Sequence, residues 1–269
     1  MSTQRVSTVQ SACIISPKNI MQLYLIRHGQ STNNALSETQ DGVFPPRVSD
    51  PVLTAKGVRQ AELLADFLAS SKPGEEDFWR DPQNRLGFRL THIYSSLMQR
   101  AIQTASIIAD RLNLPLVGLA EVHEVGGIYL ESVVNDVVEI SHEHGVNEAF
   151  LSTHYPHLTL AKPIDREGWW PGGKEDHSLP LKRAQGVLNW IKERHLGSDD
   201  RVAIVTHGGF YHYLLRAMLQ ISPEDPDNRK LGYSLIYNNC AISRFDFVDN
   251  RILMVYHNRA DFLPDELVS

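Results

Sequence analysis

Short apolar runs recur along the chain, and each ends at a polar or glycine-containing turn. Residues 22–26, 92–94, 116–119 and 202–205 have the continuous apolar character of strands covered on both faces. Between them lie segments of helical period. From Thr54 to about Ser70, Val58, Ala61, Leu64, Ala65 and Leu68 share one face, and Thr54 is suited to cap the first turn. From Ser96, another capping residue, to about Leu112, the apolar positions are Ala101, Ala105, Ile108 and Leu112. Residues 132–143, 179–194 and 210–219 predict further helices. Residues 241–247 and 252–256 predict an antiparallel hairpin turning at Val248-Asp249-Asn250. Strands alternating with helices predict an α/β fold: a three-layer α/β/α sandwich with a mostly parallel central sheet.

The segments between these elements set the domain plan. Residues 1–21 are expected to be a disordered leader, rich in Ser, Thr and Gln and without the apolar core of a secretory signal. No acidic residue precedes Glu38, and Arg5 and Lys18 are the basic residues there, so organelle import by this leader stays open. Residues 22–269 are expected to form a single domain. A polar loop at 29–49 with Pro45-Pro46 is expected at the mouth of a site. The charged stretch 71–89, with Pro73-Gly74 and Asp81-Pro82, reads as a solvated surface loop. An irregular insertion at about 126–175, with Pro156, Pro163 and Trp169-Trp170-Pro171-Gly172-Gly173, is too long for a simple connection.

Composition narrows the function. Of 269 residues, 42% are hydrophobic, enough for a substantial core. The net charge of -6 argues against nucleic acid or an anionic membrane as partner, while leaving room for a local basic pocket. No apolar run reaches transmembrane length. Cys13 and Cys240 read as free thiols of a reducing cytosol, so a cytoplasmic location is expected. Association of identical copies is left open.

Two histidines follow buried-strand patterns and are each followed by glycine: His28 in Arg27-His28-Gly29-Gln30-Ser31, and His207 in Val205-Thr206-His207-Gly208-Gly209. Strand ends of this kind are where an open α/β sheet places its ligand, and Arg27 makes that ligand an anion. Three further segments accompany them: Leu53-Thr54-Ala55-Lys56-Gly57-Val58-Arg59-Gln60-Ala61, Tyr94-Ser95-Ser96-Leu97-Met98-Gln99-Arg100-Ala101-Ile102-Gln103-Thr104-Ala105, and Glu124 ahead of Gly126-Gly127. In this order over residues 22–215, the set resembles the histidine phosphatase superfamily, in the branch of cofactor-dependent phosphoglycerate mutases and related phosphatases.

The resemblance implies a nucleophile at His28, with phosphate held by Arg27, Asn34, Arg100, His207 and Gly208. Arginine forks match phosphate oxygens bidentately, and His207, if protonated, would add a positive donor. It also implies a catalytic acid at Glu124, which would protonate the leaving alkoxide and then act as base on water. Glu121 is a rival acid three residues earlier; Glu124 is preferred because Gly126-Gly127 follows it closely. No cofactor and no metal are expected. The pairs His142/His144 and His154/His157 have metal-ligand spacing but no cysteine beside them.

The implied activity is hydrolysis of a small phosphate ester through phosphohistidine. Phosphoglycerate mutase is the alternative, and a non-catalytic phosphate-binding module stands behind both. Mutases of the branch carry an Arg-His-Tyr-Gly run after the acid and paired arginines further on. Here Val125-Gly126-Gly127-Ile128-Tyr129-Leu130 follows the acid and no Arg-Arg pair occurs. Within the insertion, Tyr129, Trp169 and Trp170 are candidates for a substrate cap, Glu175 for closing the pocket and Arg183 for bracing it. Anchoring of the insertion to the core is an equal reading of the two tryptophans.

Overall fold

The computed structural model describes residues 19–36, 47–72, 81–134, 137–220 and 235–269. The leader through residue 18, Cys13, Pro45-Pro46 and Pro73-Gly74 lie outside them. A seven-stranded sheet forms the centre. Its strands are β1 (Met21–Arg27), β2 (His92–Ser95), β3 (Leu116–Gly118), β6 (Leu158–Leu160), β7 (Arg201–Thr206), β8 (Ile242–Val248) and β9 (Arg251–Arg259). The spatial order is β6-β3-β2-β7-β1-β8-β9. The first five of these are mutually parallel; β8 runs antiparallel to β1, and β9 to β8.

The continuous apolar runs are explained by burial on both faces. In β1, Met21, Leu23 and Leu25 face α5 (Leu179–His195) and α6 (Gly208–Met218). Tyr24 and Ile26 face α2 (Ala55–Ala69) and α3 (Gln99–Leu112). β7 divides in the same way, with Val202 and Ile204 on the first face and Ala203 and Val205 on the second. The result is the expected three-layer sandwich with a mostly parallel sheet. No helix among the described residues is long and apolar enough to cross a membrane.

Three local expectations are corrected. Residues 132–143 are not a helix: β4 (Tyr129–Val134) and β5 (Val137–His142) form a two-stranded antiparallel hairpin with Val134 opposite Val137. Val133, Val134, Val137, Val138 and Ile140 are β-branched, and their stiff χ1 favours a pleated chain over a helical turn.

Ser96 is not the cap of α3, whose N-cap is Met98 without a side-chain bond. The first helical amide, Gln99 N, is received instead by the Asp50 carboxylate at 3.1 Å.

The charged loop is also not wholly solvated. Asp81, Asn84 and Phe88 are buried. Asp81 accepts the amides of Arg85 and Leu86 at 2.6 and 2.8 Å. Arg244 donates to the Asp81 carbonyl and to Asn84 Oδ1 while its fork holds Asp246.

Candidate active site

Adjacent parallel strands bring the two histidines together. Arg27 at the end of β1 pairs in register with Thr206 at the end of β7, so His28 and His207 leave the sheet side by side. Their rings are 5.1 Å apart, and both are buried. His28 Nδ1 lies 2.7 Å from the Gly29 carbonyl, which can only accept; Nδ1 therefore carries the hydrogen. Arg100 Nε donates to His28 Nε2 at 3.1 Å, which marks Nε2 as the lone-pair nitrogen. Burial, then Arg100, then Arg27 hold the His28 pKa well below its usual 6.5. The ring is neutral, with its Nε2 pair accepting from the arginine.

Around it sit two arginines and a second imidazole with unpartnered nitrogens. Arg27 Nε, Arg100 Nη1 and His207 Nδ1 are buried without a hydrogen-bond partner among the described residues. Buried donors are almost always satisfied, so three orphans on the residues flanking one imidazole mark a place for an anion. Arg100 Nη1 is 3.8 Å from Asp50 Oδ1, an ion-pair separation rather than a hydrogen bond. His207 Nε2 is 2.9 Å from Ser96 Oγ. Burial and then Arg100 push the His207 pKa well below 6.5, so this ring serves as a neutral donor rather than the cation considered from sequence. Asn34 lines the pocket, but its Oδ1 is turned to Ser31, accepting from N at 3.1 Å and Oγ at 3.0 Å.

Glu124 caps α6 from outside the helix. Oε2 accepts Gly209 N at 3.1 Å; Oε1 accepts Phe210 N at 2.9 Å and Val125 N at 2.8 Å. This close approach depends on Gly209, where a Cβ would stand 2.4 Å from Glu124 Oε1. At Gly208 the nearest atom to a Cβ is Arg27 Nε at 3.6 Å, an ordinary contact, so the steric demand falls on the second glycine of the pair.

The segment that carries Glu124 is pinned by a buried ion pair. Arg183 Nη1 donates to the carbonyls of Glu121 and His123 at 2.8 and 2.9 Å. Its Nε and Nη2 grip both oxygens of Glu175 at 2.8 Å each. Glu175 also accepts Gly126 N at 3.2 Å. Glu175 and Arg183 thus hold the segment that carries the acid candidate. The rival Glu121 turns outward to Lys162 and does not line the pocket.

Arg27, His28, Arg100 and Glu124 open into a pocket of about 710 Å³, one side of which is formed by Tyr129, Leu130 and Glu131 from β4. Trp169 and Trp170 do not line it. They are buried in a core cluster with Leu97, Met98, Ile102 and Ile128, and the Trp170 indole donates to the Gly173 carbonyl at 3.0 Å. The core-anchor reading describes them, and Tyr129 is the expected aromatic that faces the pocket. Of the histidines with metal-ligand spacing, His144 Nδ1 lies 3.0 Å from the Trp170 carbonyl, and His154, at the end of α4 (Glu148–His154), stacks on Phe150.

Thr104, inside the second arginine motif, accepts Gly29 N on its Oγ1 at 3.0 Å. Two residues at the site carried no sequence signal: Asn239 Nδ2 donates to the His28 carbonyl at 2.9 Å, and the Tyr237 carbonyl accepts from Arg27. Both are distant in sequence from what they support.

The model of the histidine phosphatase superfamily (branch 1) matches residues 23–260, and the chain belongs to that superfamily. A relative from Yersinia pestis (strain Pestoides F), named "Probable phosphoglycerate mutase GpmB", is 26% identical over 231 residues, 86% of this chain and 87% of its own. Bacillus stearothermophilus YhfR is similar in structure with a TM-score of 0.53 at 18% identity, over 90% of this chain and 98% of its own. The mycobacterial glucosyl-3-phosphoglycerate phosphatase gives 0.51 at 17%, over 89% and 99%. A phosphoserine phosphatase mutant from Entamoeba histolytica, in complex with phosphoserine, gives 0.50 at 20%, over 91% and 100%. At these identities the structural likenesses establish the fold.

Proposed function

We propose that the chain is a phosphomonoesterase that transfers the phosphoryl group of a small phosphorylated metabolite to His28 and then to water. The carrying observation is the set of three unpartnered buried nitrogens, on Arg27, Arg100 and His207, around a neutral His28 whose Nε2 accepts from Arg100. Phosphoryl oxygens would accept from those donors while phosphorus lies in line with Nε2.

In the first step the Nε2–P bond forms and the bond from phosphorus to the leaving oxygen breaks. Protonated Glu124 gives that oxygen its proton. Oε2 holds a single N–H bond against two at Oε1, so it is the oxygen with a position for the proton. In the second step the Glu124 carboxylate takes a proton from water. The water oxygen bonds to phosphorus, and the Nε2–P bond breaks with its pair returning to His28. Superfamily membership and phosphatases of the same fold support this reading.

The mutase reading rests on the name of the Yersinia relative and differs in the acceptor, a second hydroxyl in place of water. The test is rapid acid-free quench of the enzyme with a 32P-labelled ester, with chelator present throughout. An acid-labile phosphohistidine is expected in the wild type and absent in His28→Ala, with turnover lost and the circular dichroism spectrum retained. Full activity in His28→Ala overturns the assignment. Transfer of label to 2-phosphoglycerate from 3-phosphoglycerate, faster than release of phosphate, selects the mutase.

A further inference from the structure

A second cluster of chemically active side chains stands at the other end of the sheet. His92 opens β2, Asp200 immediately precedes β7, and His195 is the last residue of α5. β2 and β7 are adjacent and parallel, with His92 paired to Val202, so their N-terminal ends lie together, and the short turn after His195 brings the end of α5 to the same edge. The phosphate pocket is at the opposite ends of these strands, where Asn34 of α1 (Thr32–Leu36) lines it. The six residues of β7 separate the two places by roughly 20 Å. One ligand atom from each of His92, His195 and Asp200 lies within 4.8 Å of the other two.

His195 Nδ1 is 2.9 Å from Asp200 Oδ2, and His92 Nδ1 is 3.9 Å from Asp200 Oδ1. A tetrahedral ion with ligands at about 2.0 to 2.1 Å sets those ligands about 3.3 Å apart, so the two separations bracket the value required. The second nitrogen of His195 already has the partner that a ligating imidazole uses to fix its ring: Nε2 lies 3.0 Å from Tyr94 Oη, and Tyr94 is buried. Burial holds the His195 pKa below 6.5, so the ring is neutral at pH 7. Against its own burial, hydrogen bonding to His195 and Ser198 keeps the Asp200 carboxyl below its usual range, so it is an anion there. A relay of Tyr94, His195 and Asp200 would account for those residues alone. It has no need of His92, whose ring meets that of His195 edge to face with centroids 4.7 Å apart and whose Nδ1 is turned to the second oxygen of Asp200. The His92 side chain is 42% exposed, which gives an ion a way in and a water a fourth position.

We propose that His92, His195 and Asp200 bind a divalent transition-metal ion of the zinc class, which ties the end of α5 to the N-terminal edge of the sheet. Two imidazoles with one carboxylate suit zinc, and cobalt in its place, whereas magnesium and calcium take oxygen ligands. On binding, His195 Nδ1 loses its hydrogen, Nε2 gains one, and the Tyr94 hydroxyl turns from donor to acceptor, so this ring releases no net proton. The ion is structural and lies outside the phosphate pocket; no step of the reaction passes through it. Its mechanical link to that pocket is α5, which also carries Arg183 and, through it, the segment of Glu124.

The test is calorimetric titration of the full chain, stripped with chelator and held in phosphate-free buffer, with zinc chloride, and in parallel with cobalt(II) followed by visible absorption. One zinc per chain is expected, cobalt should show the strong visible bands of a four-coordinate ion, and zinc at about a hundred times its Kd should raise Tm by about 5–10 °C. His92→Gln and Asp200→Asn should each weaken binding at least about tenfold and abolish the cobalt bands while keeping the circular dichroism spectrum. Tyr94→Phe, which removes only the hydroxyl behind His195, should weaken binding about tenfold. His28→Ala should bind zinc as the wild type does. A wild type that binds no zinc overturns the proposal. So does zinc held as tightly by His92→Gln and Asp200→Asn as by the wild type; loss in His28→Ala instead would place the ion in the phosphate pocket. Binding that needs Asp200 but not His92 overturns the three-ligand site as well.

Discussion

His28 acquires its character from neighbours that the linear motif only half contains. Arg27 is adjacent, but the tautomer is set by the Gly29 carbonyl on one nitrogen and by Arg100, seventy-two positions away, on the other. Gly209 shows the same dependence on distance. Its missing side chain has no local explanation, since α6 would be helical with alanine there. The explanation is Glu124, whose oxygen occupies the space a Cβ would take. Gly209→Ala is therefore expected to displace the Glu124 carboxylate from the α6 amides and lower kcat about a hundredfold. The helix and its thermal stability should change little, because alanine is the better helix former. Steady-state kinetics with a thermal melt checks this; unchanged kcat would show that Glu124 does not need its seat on α6.

Arg27, His28, Arg100 and His207 were legible from the sequence because each sits in a run with its own local signature. Asp50 and Asn239 were not, because each acts on a residue far from it along the chain, through a contact that only the fold creates.

At the level of elements, the strands and helices of the sandwich were legible because double-sided burial writes unbroken apolar runs and helical stripes. The hairpin was misread for a physical reason. Among its described side chains, Val137, Val138 and Ile140 are exposed. With those positions exposed, no burial disciplines their pattern into clean alternation, and the β-branched content is what points to strands. The Trp169-Trp170 segment was ambiguous for the opposite reason, since burial against a small core cluster and burial against a ligand leave the same composition.

What ties the insertion to the chemistry is the Glu175–Arg183 pair, which joins the end of the insertion, the segment holding Glu124, and α5. Lysine has no planar fork and cannot hold a carboxylate and two carbonyls at once. Arg183→Lys is expected to lower kcat about tenfold with little change in KM, at temperatures where the variant is fully folded. Loss of activity that follows only the folded fraction would make the pair a plain structural brace. Trp169→Ala is the contrasting case: it should lower the melting temperature and leave the relative rates among esters alone.

The whole molecule carries its site as a charge imbalance that pH can read. His28, His123 and His207 are buried, and all three have pKa values below 6.5: His28 and His207 far below it, and His123 pushed down to about 3 by burial and then Arg183. As pH falls below 6.5, the unfolded chain binds a proton at each and the folded chain does not. Stability is therefore complete above pH 6.5 and declines on acidification, by about 1.4 kcal/mol per pH unit for each histidine. Asp50 opposes them. Burial raises its pKa to about 6 against the pull of Arg100, so below that pH the folded chain holds a proton that the unfolded chain does not. Its contribution is present in acid and lost as pH rises through about 6.

His123 and Asp50 thus change the slope in opposite senses, each by up to one proton, about 1.4 kcal/mol per pH unit. Groups common to wild type and variants cancel in the difference of slopes. Urea denaturation from pH 6.5 to 4.5 should show His123→Phe flatter than wild type by one proton, since phenylalanine fills the place beside the Trp169 and Trp170 rings without titrating. Asp50→Asn should be steeper by one. Parallel slopes in all three proteins would mean that His123 and Asp50 titrate alike in the folded and unfolded chain, so that burial neither holds His123 neutral nor keeps the Asp50 carboxyl protonated.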